Sequence, residues 1–228
     1  MDTEMIISLI TLIVLEIVLG IDNIIFISLL TDKLPKEKRS KARLIGLSLA
    51  LVLRLILLAG ISWILKLDQE LFQISGRPFS GKDLILIAGG LFLLYKSSKE
   101  IFEKTEDHEP TNIKKGHSSF NNIIGQILLL DLVFSVDSII TAVGLVDELW
   151  IMYVAVIVSI TIMLLVSKKI SNFINKHPSL KVLALCFLMM IGLALIAEGF
   201  RLHIPKAYIY FSMAFSFFVN IMQIRKKG

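Results

Sequence analysis

The stretch "EIVLGIDNII", Glu16–Ile25, places two carboxylates inside an apolar run that extends from Met5 to Leu30. A run of that length forms a helix of about 39 Å, more than the roughly 30 Å hydrocarbon core of a bilayer. Both acids therefore fall at membrane depth, where a charged side chain costs about 2.5–3.5 kcal/mol on insertion scales. Something else in the chain has to compensate Glu16 and Asp22, or use them.

The surroundings of this run set the fold class. The chain has 228 residues and is 55% hydrophobic, with a mean hydropathy of +0.78, and most of its charges are bunched between long apolar runs. This is the pattern of an all-α, polytopic membrane protein. Seven runs, 5–30, 44–65, 83–99, 120–145, 149–167, 180–200 and 207–224, read as transmembrane helices and leave no room for a soluble domain. The first follows Asp2 and Glu4 rather than a basic segment and lacks a small-x-small cleavage site, so it is expected to stay in the mature protein. The third has an uninterrupted apolar part, Leu84–Tyr95, of only 12 residues and needs Lys96 and Lys99 to snorkel.

Basic residues orient the chain. With the N-terminus outside, the inner loops and tail carry 18 Lys and Arg and the outer segments carry 5, which gives an N-out, C-in topology. The net charge of +5 is spread over several loops rather than gathered on one surface, so it marks topology and not a nucleic-acid partner. The single cysteine, Cys186, cannot form an intrachain disulfide and is read as a packing residue.

The opening stretch returns 115 residues later: "EIVLGIDNII" aligns without a gap to "DLVFSVDSII", Asp131–Ile140. The first position is an acid in both, the fifth is small (Gly20, Ser135), the seventh is Asp (Asp22, Asp137) and the eighth is an amide or hydroxyl (Asn23, Ser138). A weaker echo pairs "GLFLLYKSSK" from Gly90 with "GLALIAEGFR" from Gly192. Three spans per copy is an odd number, so the copies lie in opposite orientations: an inverted 3+3 repeat plus a C-terminal helix. Such repeats place a transporter's substrate site near the bilayer midplane. The whole chain reads as one transport domain, with repeat A at about 5–100, a cytoplasmic linker at about 101–119, repeat B at about 120–200 and a last helix at 207–224. His108 and His117, in the linker, are read as solvated loop residues.

In a regular helix, positions 1 and 8 of each motif share a face, about 20° apart, while position 7 points roughly 120° away. Both acids of a motif reach one cavity easily only where the backbone loosens between them. Gly20 and Ser135 stand at that point, and Gly20 equally fits close helix packing through a small residue. Arg54, in the middle of the second span, is expected to pair within the acidic cluster, but one arginine cannot balance four acids. A divalent cation can. Carboxylates with amide, hydroxyl and carbonyl oxygens suit magnesium, calcium or manganese, and the absence of His and Cys from both motifs argues against zinc or copper. Crowded, desolvated carboxylates also bind protons, so cation–proton exchange uses both properties. Thr141, one turn beyond Asp137, is placed to add a hydroxyl ligand. His203 in "HIPK" reads either as a turn residue before Pro205 or as a transient ligand at the outer mouth.

With "EIVLGIDN", "DLVFSVDS" and "EGFRLHIPKAYIYFSMAFS", Glu198–Ser216, the chain resembles the TerC family of integral membrane proteins, within the broader LysE-type transporter group. The resemblance covers most of the chain and keeps its order of spans. It implies a bacterial cytoplasmic-membrane metal transporter, in a family associated with manganese efflux, metal homeostasis and supply of manganese to secreted enzymes. Glu16, Asp22, Asp131 and Asp137 match the family's intramembrane acids, and Asn23 and Ser138 their polar neighbours. Glu198 departs from the expected aspartate, which leaves its role, outer gate or structure, open.

The leading expectation is export of Mn(2+), with Ca(2+) as the alternative, by alternating access and with no tightly bound cofactor. No GxxxxGK[ST] loop is present, so proton antiport rather than nucleotide hydrolysis is the expected driving force. Two rivals stand beside it. One is a membrane assembly factor bound to secretion machinery, its acids fixing helix register through Arg54. The other is an intramembrane aspartyl protease using Asp22 and Asp137, although "LGIDN" and "FSVDS" do not match that family's GxGD pattern and its chemistry leaves Glu16 and Asp131 without a role.

Overall fold

A computed structural model describes residues 3–74, 76–105, 119–146, 148–202 and 204–226 and, within them, every side chain except those at positions 22, 74, 104, 105 and 224–226. The described chain is mostly helical. The elements are α1 (Thr3–Thr31), α2 (Lys36–Ala59), α3 (Ile61–Leu67), β1 (Glu70–Ile74), β2 (Arg77–Ser80), α4 (Gly81–Thr105), α5 (Phe120–Val143), α6 (Leu149–Lys176), α7 (Pro178–Gly199) and α8 (Lys206–Lys226). Among the described residues, five helices are long and apolar enough to cross a membrane: α1, α2, α5, α6 and α7. The third and seventh expected spans form α4, of 25 residues, and α8, of 21.

The second expected span is not one continuous helix. It stops at Gly60, whose N–H bonds to Ile56 O at 2.9 Å, and restarts as the short α3. After α3 comes an element outside the all-α expectation, an antiparallel hairpin that pairs Ile74 with Arg77 and Glu70 with Ser80. Its turn contains Gly76 at φ 75°, a conformation that only glycine adopts without strain.

The chain divides into two compact units. Unit 1 comprises Met1–Gln69 and Gly116–Asn172 and so contains α1, α2, α3, α5 and most of α6. Its core gathers Leu12 and Ile24 of α1, Leu58 of α2, Ile64 of α3, Ile139 and Ala142 of α5, and Ile151, Met152, Ala155, Ile160 and Met163 of α6. α1 is buried at every position from Asn23 to Thr31. The turn into α2 is fastened by Arg39, which donates to Asp32 O at 2.7 Å, Leu34 O at 2.9 Å and Asp32 Oδ1 at 3.1 Å. α2 lies against α5, where a Cβ on Gly46 would stand 3.0 Å from Ile127 Cδ1. Near the start of α2 the buried Arg43 donates to Ser171 Oγ of α6 at 2.5 Å.

Unit 2 comprises Glu70–Lys115 and Phe173–Gly228. Ser80 and Asp83 form a capping box at the start of α4: Asp83 N–H donates to Ser80 Oγ at 3.2 Å and Ser80 N–H to Asp83 Oδ2 at 2.8 Å. α7 ends in a Schellman turn, with Leu202 N–H on Ala197 O and Arg201 N–H on Glu198 O, both at 2.8 Å. Arg201 takes the left-handed position, φ 58°, and its guanidinium reaches Asp83 Oδ2 at 3.2 Å, tying the end of α7 to the start of α4. Small residues let these two helices touch: a Cβ on Gly90 would stand 2.5 Å from Gly192 O, and one on Gly199 would stand 2.7 Å from Asp83 O. Cys186, expected to pack, is instead exposed on α7.

Candidate functional site

The acidic motifs lie on α1 and α5, and α2 lends them its arginine; all three helices belong to unit 1. Glu16 is 2% exposed, Asp131 6%, Asp137 4% and Arg54 3%, so this is a buried set of charges rather than a surface network. Arg54 Nη1 donates to Glu16 Oε2 at 2.6 Å, while Nη2 and Nε donate to Asp131 Oδ1 at 3.0 and 3.3 Å. One guanidinium thus bridges the first acid of each motif, and both pairs are charge-assisted and shielded from water. Asn23 Nδ2 adds a long contact to the same Asp131 Oδ1 at 3.5 Å, and Ser135 Oγ donates to Asp131 Oδ2 at 3.3 Å. Ser138 Oγ turns back onto Ser135 O at 3.3 Å.

The helical period explains which residues meet. Glu16 and Asn23 occupy positions 1 and 8 on one face of α1, and Asp131 and Ser138 do the same on α5. Neither helix opens between its acids: α1 is continuous through Gly20 and α5 through Ser135. The expected loosening of the backbone is therefore absent from the described helices, and Gly20 serves packing, since a Cβ there would overlap Met163 Sδ of α6. Asp137, roughly 120° around α5 from Asp131, is buried on a different face of the helix. Asp22 lies in α1, but its side chain, like the whole of His203, is outside the described residues, as are His108 and His117.

The remaining expected site residues go elsewhere. Thr141 is exposed on α5 and does not join the Arg54 cluster. Glu198 belongs to unit 2, where Lys206 Nζ lies 3.2 Å and Lys82 Nζ 3.9 Å from its carboxylate, a structural ion-pair set. Sequence reasoning missed Asp83, Arg201 and Met163. Asp83 had a readable signal in the S-x-x-D spacing from Ser80 ahead of an apolar run, whereas nothing in the sequence pairs Gly20 with Met163.

Chemically, Glu16, Asp131 and Asp137 offer carboxylate oxygens and Asn23, Ser135 and Ser138 offer neutral ones, a hard donor set. Among the described residues no three Asp, Glu, His or Cys side chains converge closely enough to hold a metal ion. Arg54 stands between the two first-position acids.

Five helices of membrane-spanning length and composition and a buried carboxylate–guanidinium cluster define a multi-pass protein of the cell membrane. Residues 1–227 match the model of the integral membrane protein TerC family, and the chain belongs to that family. It is 51% identical over its full length to the UPF0053 inner membrane protein YoaE of Escherichia coli K12, a longer protein of which it spans 44%. It is 48% identical to a UPF0053 protein of Haemophilus influenzae, with 99% of this chain and 96% of that one covered. It is also 51% identical to the UPF0053 inner membrane protein YgdQ of Escherichia coli K12, with 94% and 90% covered. No solved structure gives a significant match.

Proposed function

We propose that the chain exports a hard divalent cation, manganese first and calcium as the alternative, by alternating access through the acids of its two repeated motifs. The observation that carries this reading is a charge imbalance. In unit 1 Arg54 bridges the buried Glu16 and Asp131, two carboxylates on one guanidinium, and Asp137 is a further buried acid of the second motif. Arg43 is buried too, but its partner is Ser171, eleven residues and about 16 Å along α2 from Arg54. A doubly charged ion offsets such an excess, and the oxygen-only donors select hard ions. By motif position Asp22 is the fourth acid. Protons bound by the same carboxylates are the counter-ion of the cycle, without a resident cofactor and without an enzymatic step.

This reading takes α4 and α8 as spans as well, in an N-out, C-in chain of seven helices and an inverted 3+3 repeat. Two contacts between equivalent positions support the repeat: Gly90 against Gly192 in unit 2, and Glu16 with Asp131 on one arginine in unit 1. Partners are the metal ion and the bilayer, with secretion machinery or exported metalloenzymes as recipients of the metal. The Arg54 bridge also favours a second reading, an assembly factor in which the ion pairs only fix helix register.

Metal-dependent efflux from cells separates the two. The transport reading expects Asp22→Asn and Asp137→Asn each to abolish manganese efflux while the protein remains in the membrane; normal efflux from both variants would leave only the register role. A flux indifferent to an imposed pH gradient would rule out proton exchange.

A further inference from the structure

We propose that Arg54 is a tethered counter-cation that competes with the transported metal for Glu16 and Asp131, so that the pair is compensated whether or not cargo is bound. The inference rests on the transport reading above and adds the regulation of its site. Asp131 Oδ1 accepts from Arg54 Nε and Nη2 and from Asn23 Nδ2, and Glu16 Oε2 accepts from Arg54 Nη1 at 2.6 Å. A metal ion ligated by these oxygens must take them from the guanidinium. Arg54 is carried by α2 while its two acids sit on α1 and α5, so the exchange requires the guanidinium to leave both carboxylates together.

The consequence concerns the return half of the cycle. Two bare carboxylates are costly in a dry interior, so an unloaded carrier lacking a substitute cation would stall with its site exposed to water. Arginine stays protonated throughout the physiological pH range and supplies that substitute permanently. Arg54 therefore weakens metal binding and speeds the return of the empty carrier, opposite effects that a purely structural ion pair would not produce.

Purified protein in proteoliposomes distinguishes two modes, manganese–manganese exchange with metal on both sides and net efflux into metal-free buffer; detergent-solubilised protein gives the thermal shift caused by manganese. For Arg54→Gln the expected result is net efflux reduced about tenfold or more, a distinctly smaller loss of exchange, and a larger manganese-dependent rise in Tm than in the wild type, because metal replaces the missing cation. Equal loss of exchange and net efflux, or the same thermal shift in both proteins, overturns the proposal. If Arg54→Gln fails to fold, Arg54→Lys decides: it keeps one charge but lacks the fork that spans both carboxylates. Net efflux should then fall more than exchange, and parallel loss counts against the proposal. Wild-type protein that performs neither mode defeats the transport reading itself.

Discussion

Asp131 accepts more hydrogen bonds than its pseudo-equivalent Glu16, with Oδ1 taken by Arg54 and Asn23 and Oδ2 by Ser135. Its partners are not of equal weight. Asp131→Asn leaves Arg54 paired with Glu16 but removes the charged acceptor of its Nε and Nη2, and is expected to cost about 1.5–3 kcal/mol of stability. Ser135→Ala removes one hydrogen bond of 3.3 Å and is expected to cost about 1 kcal/mol. Denaturant unfolding of the purified variants checks the ranking, and equal losses would mean that Arg54 does not depend on Asp131. Arg54 was legible in the sequence because it is a lone charge in an apolar span. That it takes one acid from each motif, 38 and 77 residues away, was not, because nothing local in the sequence encodes those distances.

At the level of elements, the helices were legible from hydrophobic runs and their breaks were not. A hydropathy reading carries the second span through Gly60 and passes over the hairpin at 70–80, although Ser75–Gly76 is a turn signal and Leu71, Phe72, Ile74 and Phe79 are strand formers. The expected opening at Gly20 and Ser135 failed for a physical reason. Arg54 bonds both first-position acids without any unwinding, and the space beside Gly20 is filled by the Met163 side chain. Glycines in this chain consequently differ in what they tolerate. Gly192→Ala would place a Cβ 2.9 Å from Gly90 O and 3.1 Å from Leu93 Cβ, an overpacking expected to cost about 1–3 kcal/mol. Gly125→Ala meets nothing within 4 Å and should gain up to about 1 kcal/mol from helix propensity. Thermal unfolding compares them; a tolerated Gly192→Ala would show that α4 and α7 are not in close contact there.

For the whole molecule, the units cut across the repeats expected from the sequence. Unit 1 holds α1, α2, α3, α5 and most of α6 and unit 2 holds α4, α7 and α8, so each unit contains segments from both expected copies. The proposed N-out, C-in orientation is checked by labelling: with Cys186 replaced by Ala, a membrane-impermeant maleimide should label Asp68→Cys in intact cells and Lys36→Cys only after permeabilisation. The reverse pattern would invert the topology and with it the direction of transport. The duplicated acids were legible as a pair of motifs, and their meeting place was not, since it depends on α2 running beside α5. The central claim, that the buried acids of unit 1 carry a divalent ion, is tested most directly by manganese flux through purified protein in proteoliposomes, wild type beside Asp137→Asn. The account predicts protein-dependent flux in the wild type and flux at the level of protein-free vesicles in the variant; equal flux through both would contradict it.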